Sequence, residues 1–366
     1  MAVFEQSTAL CYRIFDIAEG VNLEVAQKLL SLDSRRLSLS REGSEFIELP
    51  NPPISVEVGH RSLAVMGANV EVPVSVRVFD HGAISVLASV PIPPGTTAEQ
   101  LIPLADQLYD SPEIEKLARE LVEQFRKTLE PNLDEAHLWE RFESYTVLFV
   151  KQVSGAPNAE ALLAMPELPR LLLGETKEKA LSELEKRDVL EQHFSYGEND
   201  LVVIDWNAAF VYEPSGSLDI PDLLEIANAQ LMEFRYYDDV LDGELKRVYQ
   251  FIDSKKGATS IIFSPYKALL RDLLQTLMDL SEFIERVENS LKIIGDVYLA
   301  RVYEAALRQL RVGSWQAQVT RKWKMLSNTY ELLRGEVDTA RSLTLELMIV
   351  VLIILETLVA LTAFLK

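Results

Sequence analysis

Residues 343–365 limit what this chain can fold into more than any other segment, because they read LTLELMIVVLIILETLVALTAFL. As a helix with a rise of ~1.5 Å per residue they would extend roughly 34 Å, which exceeds the ~30 Å hydrocarbon core of a bilayer. The segment is apolar on all sides instead of along one stripe, and no later segment is available to cover it. We therefore expect a transmembrane helix, and not a buried core helix.

The composition of the remaining chain limits its class. A hydrophobic content of 48% and 14 phenylalanines exclude a mainly disordered chain. A net charge of −20 argues against a nucleic-acid partner, because such binding surfaces are basic. The single cysteine, Cys11, excludes an intramolecular disulfide and the usual cysteine zinc sites, and its apolar neighbours predict a buried thiol.

The two ends of the sequence predict where the protein resides. The first 20 residues have neither the basic start and apolar core of a secretory signal nor the arginine content of a mitochondrial transit peptide. Basic residues precede the span, which favours a cytoplasmic body; they are Arg321, Lys322, Lys324, Arg334 and Arg341. We expect a tail-anchored, single-pass protein, in a bacterial inner membrane in preference to a mitochondrial one.

Two similar segments in the front half indicate an internal duplication. Residues 76–87 (VRVFDHGAISVL) and 201–212 (LVVIDWNAAFVY) each contain an apolar run, a polar turn and a second apolar run. This pattern predicts a β-hairpin, and a helical segment follows each copy, at residues 96–129 and 220–252. The sequence TTAEQL at residues 96–101 is the expected capped start of the first of these segments. A strand, a turn and a helix are predicted before each hairpin, so the order β-α-β-β-α occurs twice.

The predicted fold class is therefore α+β. We expect a first lobe at residues 1–135, a second lobe with a long helix at 136–260, a helical hairpin or coiled coil at 261–342, and the transmembrane helix at 343–365. The two lobes would be duplicated sandwich-like units related by pseudo-twofold symmetry. Coincidence between two ordinary hairpins is the alternative explanation of the similarity.

The rear third predicts two long helices with heptad seams. Apolar residues recur in alternating steps of four and three from Leu273 to Tyr298, and again from Val319 to Ala340. Ser264-Pro265 is the expected start of the first helix, and Gly313-Ser314 the expected boundary between the two. The seams could close an intramolecular hairpin or join two subunits, and the second seam continues in phase into the span.

Glu356 lies near the middle of the apolar segment, where an ionisable side chain is costly unless it has a partner. It could form a hydrogen bond between the spans of an oligomer, persist as a lone protonated acid, or bind a cation. Glu346 lies closer to the membrane surface, where its carboxyl can reach water. Both residues are predicted to act at the membrane or in an oligomer.

Asp238 occupies a position of the helix at 222–251 where the apolar row predicts a hydrophobic residue. Asp242 lies one turn further on, so both carboxylates can face one point, as in a weak candidate site for a divalent metal. The alternative is that Arg235 or another basic residue pairs with Asp238. The sequence contains no nucleotide-binding or hydrolase motif, so we predict no catalytic residue and no cofactor.

A small basic and aromatic group precedes the span. It comprises Trp315, Arg321, Lys322 and Trp323. These side chains could contact lipid headgroups or a protein partner, although packing in a helical seam explains Trp323 equally well.

The rear half also resembles a known family. Ala229-Gln230, Tyr237-Asp238-Asp239 and Leu241-Asp242 are similar to the helix with Ala-Gln and Phe-Glu-Glu in the family that includes the required-for-meiotic-nuclear-division proteins. The span with Leu345-Glu346 and Glu356 resembles the terminal helix of that family. The resemblance covers residues 201–366 and implies a single-span, C-terminally anchored protein. It also implies assemblies, because the mitochondrial members form assemblies that support organelle translation, but no catalytic residue carries over.

The sequence thus predicts a non-enzymatic, membrane-anchored scaffold or interaction protein. Its expected partners are the lipid bilayer, further copies of the chain and an unknown protein. The alternative is a membrane oligomer that handles cations through Glu356. A metal-dependent hydrolase that uses Asp238 and Asp242 has no supporting nucleophile or histidine in the sequence.

Overall fold

A computed structural model describes residues 2–30, 34–37, 51–155, 158–177, 181–255, 267–290 and 296–364. The chain forms two compact units. The first contains residues 1–236 and 286–315, and the second contains residues 237–285 and 316–366. The expected helix start at Ser264-Pro265 lies outside the described residues.

The first unit is built on one mixed sheet. The strands of this unit, of which all but β2 and β8 belong to the sheet, are β1 (Val3–Asp16), β2 (Gly20–Val21), β3 (Ser34–Arg36), β4 (Ile54–Val65), β5 (Ala68–Val78), β6 (Ala83–Ile92), β7 (Thr96–Thr97), β8 (Leu133–Asp134), β9 (Glu143–Ser154), β10 (His193–Phe194), β11 (Leu201–Ile204) and β12 (Ala208–Tyr212). Within the described residues the sheet order is β10-β11-β12-β9-β1-β6-β5-β4-β3; β7 pairs with the start of β1, and β2 pairs with β8 apart from the sheet. Every strand pair is antiparallel except β9 with β12.

The helices are α1 (Leu23–Leu29), α2 (Ala98–Tyr109), α3 (Pro112–Leu129), α4 (Ala159–Leu163), α5 (Leu168–Leu173), α6 (Glu183–Val189), α7 (Asp219–Lys255), α8 (Lys267–Ser290), α9 (Val297–Gln309) and α10 (Val312–Phe364). A 3₁₀ turn at Glu130–Asn132 follows α3. The prediction of an α+β fold class is confirmed.

Both predicted hairpins are present. Strands β5 and β6 pair antiparallel around the turn at residues 79–82, and β11 and β12 pair in the same way around residues 205–207. Gly82 has a φ of 99°, a conformation that residues with a Cβ rarely adopt, and its carbonyl accepts a hydrogen bond from the Ile17 amide at 3.1 Å. The first turn is therefore held against the segment that follows β1.

The structure does not show the predicted duplication. The second strands of the two hairpins join the sheet differently, since β6 runs antiparallel to β1 whereas β12 runs parallel to β9. The strands of both predicted lobes belong to one sheet, and β1 and β9 are neighbours in it. Two sandwich-like lobes with separate sheets are thus absent from the described part of the chain. The division of this part of the chain into domains at residues 1–135 and 136–260 stays a prediction.

Helices α2 and α3 cover one face of the sheet. Their apolar side chains pack with Val74, Val76, Ile84 and Val86 and with further buried residues of the same strand face. The single helix predicted over residues 96–129 is wrong in one respect, because the chain breaks between the two helices at Ser111, which caps the N-terminus of α3 ahead of a proline. The predicted start is confirmed by a capping box at Thr97.

Buried Arg13 links β1 to the end of α2. Its Nη2 donates to the carbonyls of Leu108 and Tyr109, both at 3.0 Å. These carbonyls belong to the last turn of α2, where helical partners are missing and a positive charge is favourable. Cys11 lies close by on the same strand and is fully buried, as predicted, and burial raises the pKa of its thiol to about 11.

The first half of α7 packs on the opposite face of the sheet. Ile14 and Phe79 form a small apolar cluster with Ala229 and Met232. Successive side chains of a strand point to opposite faces, so Phe15 contacts the α3 side while Ile14 contacts the α7 side. Between Asp219 and Phe234 nearly every residue of α7 is buried, including its acidic ones.

The second unit contains the front part of the first predicted seam, on α8, and the second predicted seam, on α10. The first predicted helix does not extend to Tyr298, because Asp296 caps a new helix, α9, and Tyr298 belongs to the first unit. The seam positions Leu291 and Ile294 lie outside the described residues. Buried apolar residues of α8 follow the first seam, with Leu273, Leu277 and Leu280 among them, and Val319, Leu326 and Leu333 follow the second on α10. The Trp323 indole donates to the Leu277 carbonyl at 3.4 Å, so α8 and α10 pack within one chain. Of the two predicted alternatives, this contact favours the intramolecular one.

The predicted helix boundary at Gly313-Ser314 is wrong. Both residues lie in the first turn of α10, and the break comes earlier, at Leu310 and Arg311. Arg311 has a φ of 54°, which reverses the chain direction in the way that glycine usually does. The prediction relied on a glycine as the helix stop, whereas an arginine adopts the left-handed conformation.

Candidate functional site

The α7 face of the sheet holds a buried ion cluster that we call the Arg77 cluster, formed by Arg77, Asp222 and Glu225. Nη1 of Arg77 lies 2.6 Å from Asp222 Oδ1 and also contacts Glu225 Oε2. Arg77 is 7% exposed and Glu225 is completely buried. Strand β5 and the first turns of α7 thus meet through a guanidinium that two carboxylates share.

Burial and charge act in opposite directions on these groups. Burial raises the pKa of Asp222 to about 6, although the positive charge of Arg77 works against this shift. Burial alone would lower the pKa of the Arg77 guanidinium, but Glu225 and Asp222 raise it above the ordinary value. Arg77 therefore stays charged, and Asp222 exchanges its proton closer to neutral pH than an ordinary aspartate does.

An open cavity of about 980 Å³ reaches this cluster. Its lining residues are Arg35, Arg36, Leu37, Ser55, Glu57, Arg77, Glu213, Ser215, Gly216, Ser217, Leu218, Asp219 and Asp222. Three guanidinium groups and four carboxylates face the same space, together with three hydroxyl groups. Such a lining suits a polar ligand that carries charges of both signs, and it does not suit an apolar one.

A second, partly buried group on this side, the His137 cluster, is formed by Asp16, His137, Tyr236 and Glu19. His137 Nε2 lies 3.2 Å from Asp16 Oδ1, and its Nδ1 lies 2.9 Å from the Glu135 carbonyl. The imidazole stacks on the Tyr236 ring with centroids 4.7 Å apart, and the Tyr236 hydroxyl donates to Glu19 at 2.8 Å. Asp16 is completely buried.

The geometry favours a proton between Asp16 and His137. Both ring nitrogens of His137 face acceptor oxygens, so each can donate only if the imidazole is protonated. Burial opposes this charge, yet the hydrogen bond to Asp16 and its negative charge raise the pKa of His137. Burial also raises the pKa of Asp16, against the influence of His137. The pair holds a proton more tightly in the folded chain than in the unfolded one.

This linkage predicts a pH dependence of stability. Because the folded pKa of His137 is raised, its contribution is fully present below the unfolded value of about 6.5 and is lost as the pH rises through the folded value. We expect His137→Gln, which retains a donor but does not titrate, to cost about 1.5–3 kcal/mol at pH 6. Urea unfolding of the detergent-solubilised full chain at pH 6 and pH 8 measures this cost.

The comparison between the two pH values provides the control. The cost of His137→Gln should shrink at pH 8, whereas His60→Gln should change nothing at either pH, because His60 lies on the exposed side of β4. A His137→Gln cost that grows with pH would contradict the assigned sign.

His81 also contacts carboxylates. Its Nδ1 lies 3.2 Å from Asp80 Oδ1, and its Nε2 lies 4.0 Å from Glu233 Oε1. The four histidines are isolated in the sequence, and their spacing gives no sign of a shared site. The fold nevertheless brings His81 and His137 within electrostatic range of one buried residue, Asp16.

In the second unit, the predicted pair of aspartates has a basic partner. The Lys322 ammonium lies 2.8 Å from Asp238 Oδ1 and 2.6 Å from Asp242 Oδ1. The two carboxylates therefore do face one point, and Lys322 occupies it, which matches the alternative of a basic partner. Among the residues that the structure describes, no group of three or more histidine, cysteine, aspartate or glutamate side chains is placed to hold a metal ion.

The predicted basic and aromatic group does not form one described surface. Trp315 belongs to the first unit, where the Arg235 guanidinium lies 5.7 Å from the centre of its ring. Lys322 and Trp323 belong to the second unit, and each makes the contacts described above. Arg321 is exposed. An interaction role for these four residues stays a prediction.

Helix α10 is, within the described ranges, the one helix long and apolar enough to cross a membrane by length and composition. Its most apolar window has a mean hydropathy of 2.5 and no buried residue. The large apolar side chains from Leu343 to Leu361 are each 48–66% exposed. Glu346 and Glu356 are exposed on the same segment.

Sequence reasoning missed both the Arg77 cluster and the His137 cluster. Arg77 lies between Val76 and Val78 on β5, and such alternation normally places the charged residue in water. The acidic residues of α7 were a usable signal, because Asp219, Asp222 and Glu225 alternate with apolar residues in its first two turns.

Comparison with known proteins identifies similarity in the front of the chain. The sequence model of a family described as "Uncharacterized protein MJ0711, N-terminal domain" matches residues 6–218. The "Uncharacterized protein MJ0711" of Methanocaldococcus jannaschii is 26% identical over 222 residues, which are 60% of this chain and 66% of that relative. The matched part of the chain thus spans slightly less than two thirds of the relative's length. No solved structure matches the chain.

The family match covers the sheet, except for the first three residues of β1, but not the long helices. Residues 6–218 end just before α7 and include both hairpins. The resemblance of residues 201–366 to the required-for-meiotic-nuclear-division family overlaps the family match only at residues 201–218, and it stays a prediction.

Proposed function

This chain belongs to the family described as "Uncharacterized protein MJ0711, N-terminal domain", and from that premise we propose that it is a single-span membrane protein that holds its family domain at a lipid bilayer. The matched residues, 6–218, form the sheet and its first helices, whereas the apolar end of α10 lies far outside them. The family domain would be the working part and α10 the anchor.

The exposure of the α10 end is the observation that carries the proposal. A core helix buries its apolar side chains, yet these residues are about half exposed on every side. An apolar surface of this size is unfavourable in water and favourable in hydrocarbon. Residues 343–361 rise roughly 28 Å as a helix, close to the ~30 Å thickness of the hydrocarbon core.

We place the body on the cytoplasmic side. The basic residues of α10 precede the apolar segment, and short flanking segments rich in arginine and lysine favour the cytoplasm. A bacterial inner membrane stays a prediction.

We assign the body a scaffold role, with no enzymatic activity. Trp206 supports this role, because it stands 64% exposed at the turn between β11 and β12. Exposed tryptophans often anchor protein partners. Anchoring would raise the local concentration of such a partner at the membrane. The alternative of an oligomer that handles cations through Glu356 stays a prediction.

Vesicle flotation of the full chain tests the anchor. The wild-type chain should float with phosphatidylcholine vesicles and remain bound after a carbonate wash. Val351→Lys with Leu355→Lys should abolish flotation, because each lysine costs about 2.5–3.5 kcal/mol at the centre of a span.

The matched control is Leu332→Lys, at an exposed position of α10 that precedes the apolar segment. It should float as the wild type does. A wild-type chain that is monodisperse in plain buffer and stays with the soluble fraction would refute the anchor.

A further inference from the structure

The position of Glu356 within the apolar span leads to an inference about what the span binds. This inference rests on the proposed anchor. The carboxyl lies within a run of exposed apolar residues, and a bilayer would surround it with hydrocarbon. A polar group there needs a hydrogen-bond partner, since unsatisfied polar groups in hydrocarbon are costly. Among the described residues, those one turn away on the same side, Leu352, Ile353 and Ala360, have no polar side chain. The neighbouring Thr357 lies about 100° around the helix, and its hydroxyl donates to the Ile353 carbonyl at 2.6 Å.

The partner should therefore come from another molecule. A carboxyl that keeps its proton both donates and accepts, so two copies of Glu356 can satisfy each other across a twofold axis. Ala360 lies one turn further along the same face, and a small residue at that point permits close approach of two helices. A second copy of this chain meets both requirements.

The position of Glu356 around α10 determines which face pairs. At about 100° per residue, Glu356 lies about 140° around the helix from Leu333, the last buried residue of the seam. The seam face is occupied within the unit, where Leu333, Leu326 and Val319 are buried. The face that contains Glu356 points away from it. The sequence-based alternative, in which the seam itself continues into a subunit contact, would instead pair the face that contains Leu347, about 180° from Glu356.

We propose that two copies of the chain pair in the membrane through the α10 face that contains Ile349, Glu356 and Ala360, with the two Glu356 carboxyl groups hydrogen-bonded to each other. The contact is isologous, because the same residues meet from both sides. It leaves the seam to pack within each chain.

Disulfide trapping in vesicles tests the face. Ile349 lies about 20° from Glu356 around the helix, on the proposed contact face. Leu347 lies about 180° from Glu356, on the opposite face, at nearly the same depth in the membrane as Ile349. The full chain, with Cys11→Ala to remove the native thiol, is reconstituted in phosphatidylcholine vesicles with either Ile349→Cys or Leu347→Cys. Mild oxidation should trap a dimer of the Ile349→Cys chain and leave the Leu347→Cys chain monomeric.

Variants of the acid then test the hydrogen bond. Glu356→Leu should reduce the trapped Ile349→Cys dimer about tenfold, and Glu356→Gln, whose amide also donates and accepts, should retain most of it. Glu346→Leu should change nothing, because that side chain lies nearer the membrane surface.

The outcomes separate the two proposals. Chains that float but remain monomeric, equal trapping at both cysteines, or a dimer unaffected by Glu356→Leu would overturn the pairing and leave the anchor in place. Chains that do not float would overturn the anchor itself.

Discussion

Replacing Gly82 with alanine is expected to prevent the protein from accumulating in a folded state. A Cβ at this position would lie 1.7 Å from the carbonyl oxygen of Ala18, which is backbone and cannot rotate away. The φ of 99° adds strain for any residue with a Cβ. We expect a loss of more than about 4 kcal/mol, which is a large share of the stability of an ordinary domain.

Gly95→Ala is the matched control for this experiment. Gly95 has a similar φ of 82°, but a Cβ there would meet no atom within 4 Å. The control therefore measures backbone strain without the clash, and it should cost about 1–2 kcal/mol. Soluble yield in detergent and thermal unfolding of both variants measure the difference. Equal effects of the two substitutions would contradict the close packing of the first hairpin turn against Ala18.

Replacing Arg77 with methionine should have the second large effect. Methionine fills much of the space but leaves Asp222 and Glu225 buried without a positive charge. Removal of one partner from a buried ion cluster typically costs about 3–5 kcal/mol. Both carboxylates would then bind protons more readily in the folded chain than in the unfolded one. The loss should therefore be larger at pH 8 than at pH 5.

Two further variants distinguish the charge from the packing. The triple variant Arg77→Met, Asp222→Asn, Glu225→Gln removes the uncompensated charges and should recover most of the lost stability. Arg35→Met removes an exposed arginine whose nearest carboxylate is 3.6 Å away, and it should cost less than about 1 kcal/mol. Thermal unfolding of the full chain in detergent at both pH values provides the measurements. An Arg77→Met variant as stable as the wild type at pH 8 would refute the prediction that the Arg77 cluster stabilises the folded chain.

Local patterns in the sequence predicted the local structure well. The polar turns between apolar runs determined both hairpins, and the cap at Thr97 marked the start of α2. The heptad spacing indicated which residues of α8 and α10 are buried. These features depend on neighbours within a few positions, so the sequence contains the whole signal.

Long-range pairing was beyond the same reasoning. Arg77 and Glu225 are 148 positions apart, and Lys322 and Asp238 are 84 apart. Each pair forms only because a sheet or a helix pair brings distant segments together. The parallel pairing of β9 with β12 belongs to the same class, since a hairpin pattern does not specify which of its strands joins the sheet. The predicted duplication, which the structure does not show, depended on such pairing.

The central place of β1 has a consequence for synthesis on the ribosome. This strand is made before both of its neighbours in the sheet, β6 and β9, which end at Ile92 and Ser154. The nascent chain must keep both edges of an apolar strand unpaired until β6 has been translated, and one edge until β9 has been translated, and such delays favour aggregation. We therefore expect newly made chains to need chaperone protection until β9 has emerged.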